Sequence, residues 1–206
     1  MLRSLISRVR PRHLVLPAAV YLLSAVLMFG RTAGSLAAVS RACRGMAPFD
    51  VRGWWALHDA QAMRAACGAA GRTAYIHQQL LDLVYPAALA AFLLVVTALL
   101  LRAYGPRWWP ILLPTLAMTV CDYTENIGVW TLLLDWGHTH PAVVAVAGSA
   151  TAAKRVLGTI AYTIPVALAA VRASSAIQRR RRRQRPVLDT GKADRDTCTP
   201  VASTTS

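Results

Sequence analysis

The sequence predicts an all-α integral membrane protein: a bundle of about four transmembrane helices with a partly helical extracytoplasmic loop. Three observations carry that expectation. Apolar runs near 14–30, 80–101, 108–134 and 142–171 each approach or reach the roughly 20 residues that cross a hydrocarbon core. The mean hydropathy is +0.40, and the apolar residues behind it are gathered into those runs rather than scattered as in a soluble domain. The formal charge of +14 sits mostly at the two ends of the chain. A helix is the expected form of each run, because an isolated segment in lipid must satisfy its own backbone hydrogen bonds.

The basic ends are Arg3, Arg8, Arg10 and Arg12, then Arg172, Arg185 and the run Arg179, Arg180, Arg181, Arg182 and Arg183. Basic flanks orient membrane helices, and the arginine run is expected to meet anionic lipid headgroups. No motif presents these charges to nucleic acid, so no nucleic-acid partner is expected. Counting Lys and Arg places both ends in the cytoplasm of a plasma-membrane protein, which requires an even number of crossings. The loop carrying Arg31, Arg41, Arg44, Arg52, Arg64 and Arg72 falls outside against that rule, which long loops obey weakly.

In order, residues 1–13 form a basic cytoplasmic N-terminus. Residues 14–172 form the transmembrane domain, with helices about 14–30, 73–103, 108–134 and 142–172. The first of these is expected to be retained as a helix, cleavage as a signal peptide being the alternative. The extracytoplasmic loop spans 31–72. Within it Pro48-Phe49-Asp50 reads as a turn, Asp59 as the cap of a short helix ending near Gly68 or Gly71, and Trp54 and Trp55 as interfacial. Gly105-Pro106 ends the second membrane helix. Residues 173–206 read as a basic, then polar, disordered cytoplasmic tail. Cys43 and Cys67 both fall in the outer loop, where a disulfide or two free thiols are possible. No cofactor motif appears. No metal-type Cys or His spacing appears either, His138 and His140 being two residues apart.

The informative residues are the charges inside the apolar runs. Asp82 lies in the second run, Asp122 and Glu125 in the third, Lys154 and Arg155 in the fourth. Each is costly in lipid and is expected to face a bundle interior with a partner. Asp122, Glu125 and Asn126 stand at i, i+3 and i+4, one face of a helix. Gln78, Gln79, Asp82 and Tyr85 repeat that spacing, and Thr151, Lys154 or Arg155, Gly158, Thr159 and Tyr162 form a small and polar stripe. Measured from the midpoints of their helices, Asp82 lies about 12 Å, Glu125 about 6 Å and Lys154 about 9 Å toward the outside, with Asp122 near the middle. Three carboxylates against two cations leave one carboxylate to be protonated, hydrogen-bonded or bound to something positive.

The landmarks Phe49-Asp50, Gly71-Arg72, Tyr75, Leu81-Asp82-Leu83-Val84-Tyr85-Pro86, Asp122-Tyr123-Thr124-Glu125-Asn126, and Thr151 with Lys154 resemble those of a group of small bacterial four-helix membrane proteins. The resemblance covers about half the chain. It implies the fold and the importance of the cluster, and supplies no activity.

Two function classes follow. One is a membrane enzyme acting on a lipid or isoprenoid, with Asp82, Asp122, Glu125 and Lys154 as catalytic candidates and Asn126, Tyr85, Gln78 and Arg155 as substrate-binding ones. The other is a binding or assembly protein whose cluster is structural, or a small proton-coupled transporter. An enzyme needs a pocket that reaches lipid or water, whereas a structural network should be closed, with every polar atom paired. Reporter fusions at Ser4 and after Pro186 should both signal the cytoplasm. An outside signal at either site contradicts the four-crossing topology.

Overall fold

A computed structural model describes residues 2–183, and every described element is helical. The elements are α1 (Leu2–Arg8), α2 (Val15–Phe29), α3 (Leu36–Ala42), α4 (Leu57–Leu81), α5 (Tyr85–Leu101), α6 (Leu113–Leu134) and α7 (Pro141–Arg183), with 3-10 turns at Pro11–Leu14, Phe49–Val51 and Pro106–Leu112. Among the described residues three helical stretches are long and apolar enough to cross a membrane: Pro11–Phe29, Leu57–Leu101 and Pro141–Arg181. α6 has the length, at 22 residues, but Asp122, Glu125 and Asn126 lower its hydropathy.

The chain divides into two units at Leu168 and Ala169. The first contains all of the packing that follows. Of the second, residues 169–183 continue α7 as an exposed helix. The expected tail thus begins later than residue 173. Small and long straight-chain residues in 169–183 favour helix, and no Gly or Pro interrupts them. Arg179, Arg180 and Arg181 are exposed on this extension, the side chains of Arg182 and Arg183 lie outside the described residues, and so does the predicted disorder of 184–206.

One end of the first unit is closed by Ile6 and Val9 of the N-terminal segment. They are buried with Ala98 and Leu101 of α5 and with Leu112, and Leu168 of α7 packs against them. The basic N-terminus is therefore anchored by two apolar residues while its arginines stay outside. The middle is held by Leu89 and Leu93 of α5, Met118 of α6 and Ala161 of α7.

The other end is closed by the loop between α2 and α4. Cys43 and Cys67 are joined there in a disulfide, so of the two alternatives the bridge is the one realised. It ties α3 to α4 just before Gly68, where a φ of 59° kinks α4. The Pro48-Phe49-Asp50 turn does form, and Asp59 does serve the start of α4 by accepting from the Ala56 N–H at 2.9 Å. Trp55 departs from expectation. It is not interfacial but 1% exposed, stacked on Phe49 at 4.1 Å, with its indole N–H donating to Thr151 Oγ1 of α7 at 2.8 Å. Trp54, the neighbour on the opposite side of the chain, is 58% exposed. Gly148 makes this insertion possible, because a Cβ there would overlap the Trp55 carbonyl.

The loop arginines also find uses. Arg72 Nε donates to the Leu133 carbonyl at 2.7 Å, and Arg64 to the Gly137 carbonyl at 3.0 Å. Cations at the C-terminal end of α6 complement its free carbonyls and its dipole. These two arginines thus answer a local need of the fold.

The expected second helix, continuous over 73–103, is interrupted instead. α4 ends at Leu81 and α5 begins at Tyr85. Pro86 explains the break: it has no N–H to offer the Asp82 carbonyl four residues earlier. α6 replaces the missing donor and adds a second bond beside it. Asn126 Nδ2 donates to the Asp82 carbonyl at 3.1 Å, and the Tyr123 hydroxyl to the Leu83 carbonyl at 2.9 Å. The break therefore sits where α6 can repair it, and it brings Asp82 to the end of a helix rather than onto its flank.

Candidate functional site: an open charge cluster beside a two-sided cavity

The polar faces of α6 and α7 meet at Lys154. Its ammonium lies 3.0 Å from Asp122 Oδ1 and in contact with Glu125 Oε2. Glu125 is fully buried at 0% exposure, Asp122 nearly so. The i, i+3 spacing on α6 thus does what the sequence suggested: both carboxylates reach one cation on the neighbouring helix. Lys154 is stabilised as an ammonium by two anions at once, which offsets part of the cost of removing all three groups from water.

Asp82 belongs to the same neighbourhood but does not touch Lys154. Its carboxyl lies within hydrogen-bonding reach of the carboxyl of Asp50, a residue absent from the expected site. Asp50 arrives from the 3-10 turn Phe49–Val51, held down by the buried ring of Phe49 and by the Tyr75 hydroxyl. That hydroxyl accepts from the Phe49 N–H at 2.8 Å and reaches Asp50 Oδ2 at 3.5 Å. Burial, then the negative charge of Glu125, push the Asp50 carboxyl up to about 6, with Lys154 opposing them. Two acids this close share a proton more readily than they both ionise. Asp50 had been read as a turn residue. The signal that could have found it is an acid beside a large aromatic within a loop otherwise rich in arginine.

The remaining candidates separate. Asn126 spends its amide donor on the backbone break, so it positions Asp82 rather than a substrate. Gln78 is buried behind the cluster and accepts from Gln79 Nε2 at 3.1 Å. Tyr85 and Arg155 line a cavity of about 450 Å³ that also reaches Asp50, Asp122 and Lys154. The Arg155 guanidinium lies across Gly53, where a Cβ would come within 2.9 Å of it. The cavity has two characters. Phe29, Leu89, Met118 and the rings of Tyr85 and Tyr162 give it apolar wall, and Asp50, Arg52, Asp122, Lys154 and Arg155 give it charge. The aromatic side is continuous with Tyr21 and Phe92, which stack at 5.3 Å. Beyond the site, Asp135 accepts from His138 and His140 at 3.0 and 2.8 Å, and these bonds hold its carboxyl below the usual range.

The network is not closed. Glu125 Oε1, Asn126 Oδ1, Gln78 Nε2 and Gln79 Oε1 are buried and make no hydrogen bond within the protein, and Asp50 Oδ1 and Asp82 Oδ2 lack a partner unless one carboxyl of that pair carries a proton. Buried polar atoms are nearly always paired, and each exception needs a cause. Compared with protein-family models, curated proteins and solved structures, the chain matches none. The functional argument therefore rests on this geometry.

The contacts predict which charges depend on one another. Lys154→Met should destabilise the detergent-solubilised protein by about 3–5 kcal/mol, because it strands two buried carboxylates. Adding Glu125→Gln or Asp122→Asn should recover part of that loss, whereas Asp82→Asn should recover less. Thermal unfolding of the singles and doubles checks this, and additive losses in all three cycles would contradict the shared ion pair.

Proposed function

We propose that the chain is a multi-pass plasma-membrane protein in which α2, α5, α6 and α7 cross the bilayer, with both ends in the cytoplasm. Its outer pocket binds a membrane amphiphile, a lipid or an isoprenoid, for acid–base chemistry. α6 is the crossing whose composition argues least for lipid, yet its Asp122, Glu125 and Asn126 all turn inward. Val120, Ile127 and Leu134, which face out, are apolar and 66%, 69% and 70% exposed. A helix with a polar inner stripe and an apolar outer face suits a bundle in lipid.

The observation that carries the functional reading is the open network beside a cavity of mixed apolar and charged lining. A structural lock would pair its polar atoms and leave no room. Here the cluster keeps buried acceptors without a partner, and two of its acids, Asp50 and Asp122, line a space of about 450 Å³ whose wall combines apolar and aromatic residues with charged ones. That is the shape of a site for a molecule with an apolar body and a polar head. Asp122 faces the cavity directly and Glu125 stands behind Lys154, so Asp122 is the acid or base within reach of a bound head, and Lys154 couples it to Glu125. Asp50 and Asp82 hold a proton close by. Tyr85 and Arg155 orient the ligand.

Filling the cavity without touching the charges tests this. Thr159 lines the cavity and is exposed. Thr159→Trp should keep the thermal stability of the wild type and lose an amphiphile that co-purifies with it, as read by mass spectrometry of the extracted lipid. The same lipid complement in both proteins would contradict the proposal and favour a structural role for the cluster.

A further inference from the structure

Three cations line the cavity, and one of them lacks an anion. Lys154 is held by Asp122 and Glu125. Arg52 pairs with Asp59 at 3.3 Å, donates to the Ala47 carbonyl at 2.9 Å and lies over the Phe49 ring. The Arg155 guanidinium lines the same space, yet among the described residues it makes no hydrogen bond or ion pair. The wall therefore leaves one positive charge unanswered.

α7 and the loop packed on it fix where that charge stands. Thr151, Arg155, Gly158, Thr159 and Tyr162 all line the cavity, and their spacing is that of one helix face. Thr151 is covered by Trp55, whose indole N–H donates to it. One turn on, the Arg155 guanidinium lies against Gly53, where the loop offers bare backbone. Trp54, next to Gly53, is exposed, as suits an indole at the level of lipid headgroups. Past Arg155, residues 156–168 of α7 carry no charge, about 20 Å of helix at 1.5 Å per residue. Arg155 is thus the last charge before an uncharged stretch, and Tyr162 carries the cavity wall about 10 Å further along it. An unpaired guanidinium at such a boundary is costly until an anion meets it. Its planar fork matches the oxygens of a phosphate.

We propose that the pocket takes an amphiphile with one phosphodiester in its head: the Arg155 guanidinium receives the phosphate, and the apolar chain runs along Tyr162, Met118 and Leu89. This deepens the reading of the cavity as an amphiphile site and rests on it. A diester is specified because it carries a single negative charge, the complement of one free cation. The second charge of a monoester would meet Asp50 and Asp122 with no cation to spare.

The test uses the full chain in detergent with dioctanoyl phosphatidylglycerol, dioctanoyl phosphatidic acid, dioctanoylglycerol and inorganic phosphate. Binding is read by native mass spectrometry and by the shift of the thermal midpoint. Phosphatidylglycerol should bind at least about tenfold more tightly than dioctanoylglycerol, the worth of one charged hydrogen bond, and more tightly than phosphatidic acid. Arg155→Gln should erase the advantage over dioctanoylglycerol while leaving the midpoint of the unliganded protein where it was. Equal binding of phosphatidylglycerol and dioctanoylglycerol overturns the phosphate and keeps the amphiphile site, and binding of neither overturns both. Tighter binding of phosphatidic acid overturns the diester. An equal midpoint shift from inorganic phosphate alone makes the site one for a free anion and overturns the amphiphile. Undiminished phosphatidylglycerol binding in Arg155→Gln places the lipid on other basic residues and overturns the proposal. Should that variant not fold, Arg155→Met makes the same comparison with an apolar side chain against Gly53, and failure of both to fold contradicts the free guanidinium on which the proposal stands.

Discussion

Lys154 is shared between Asp122 and Glu125 in surroundings poor in water, and the arrangement of the bundle follows from the need to satisfy that contact. An ammonium with two carboxylates is tolerable away from water only while all three stay in place. α6 must present residues 122 and 125 on one face, and α7 must bring residue 154 opposite them. The close approach of those helices is permitted at Gly128, where a Cβ would overlap Ala147. The ion pair and the small residues beside it are two sides of one requirement. Charge holds the helices together, and the missing side chain lets them come near enough for the charge to act.

A second device depends on the first. Because α6 is fixed against α7, its Asn126 stands ready to supply the hydrogen bond that Pro86 withholds from the Asp82 carbonyl, and its Tyr123 hydroxyl donates to the Leu83 carbonyl beside it. The helix can therefore break between α4 and α5 without leaving those carbonyls unpaired. The break sets the Asp82 carboxyl beside Asp50, which the loop between α2 and α4 delivers. The Cys43–Cys67 bridge, the Phe49–Trp55 stack and the Trp55–Thr151 hydrogen bond together press that loop into the end of the bundle. The result places more acid than base in one buried volume, a cost that folding alone does not require.

Much of this was legible in the residues, for physical reasons that also mark where legibility stops. Helical spacing put Asp122, Glu125 and Asn126 on one face, and a charge within an apolar run pointed to Lys154, because both rules are local. Asp50 was not legible as a site residue. Its role depends on a tertiary contact with Asp82, which lies beyond a disulfide and a kinked helix. Trp55 was read as interfacial because its ring suits an interface; nothing in the linear pattern announced the cleft at Gly148 that receives it. The break before Tyr85 was missed although Pro86 was in view, because a proline can also be absorbed in the first turn of a continuing helix. The extension of α7 past Arg172 was missed because a run of arginines looks like a solvated tail, while arginine is in fact a good helix former.

The central claim is that the cluster holds more carboxyl than its cation can neutralise, and so retains a proton on the Asp50–Asp82 pair. Infrared spectroscopy of the detergent-solubilised protein at neutral pH addresses it directly, through the carbonyl stretch that a protonated carboxylic acid shows and a carboxylate does not. The account predicts such a band in the wild type and its loss or displacement in both Asp50→Asn and Asp82→Asn, with Asp59→Asn leaving it in place. A wild-type spectrum without a protonated carboxyl at neutral pH, or one indifferent to Asp50 and Asp82, would contradict it.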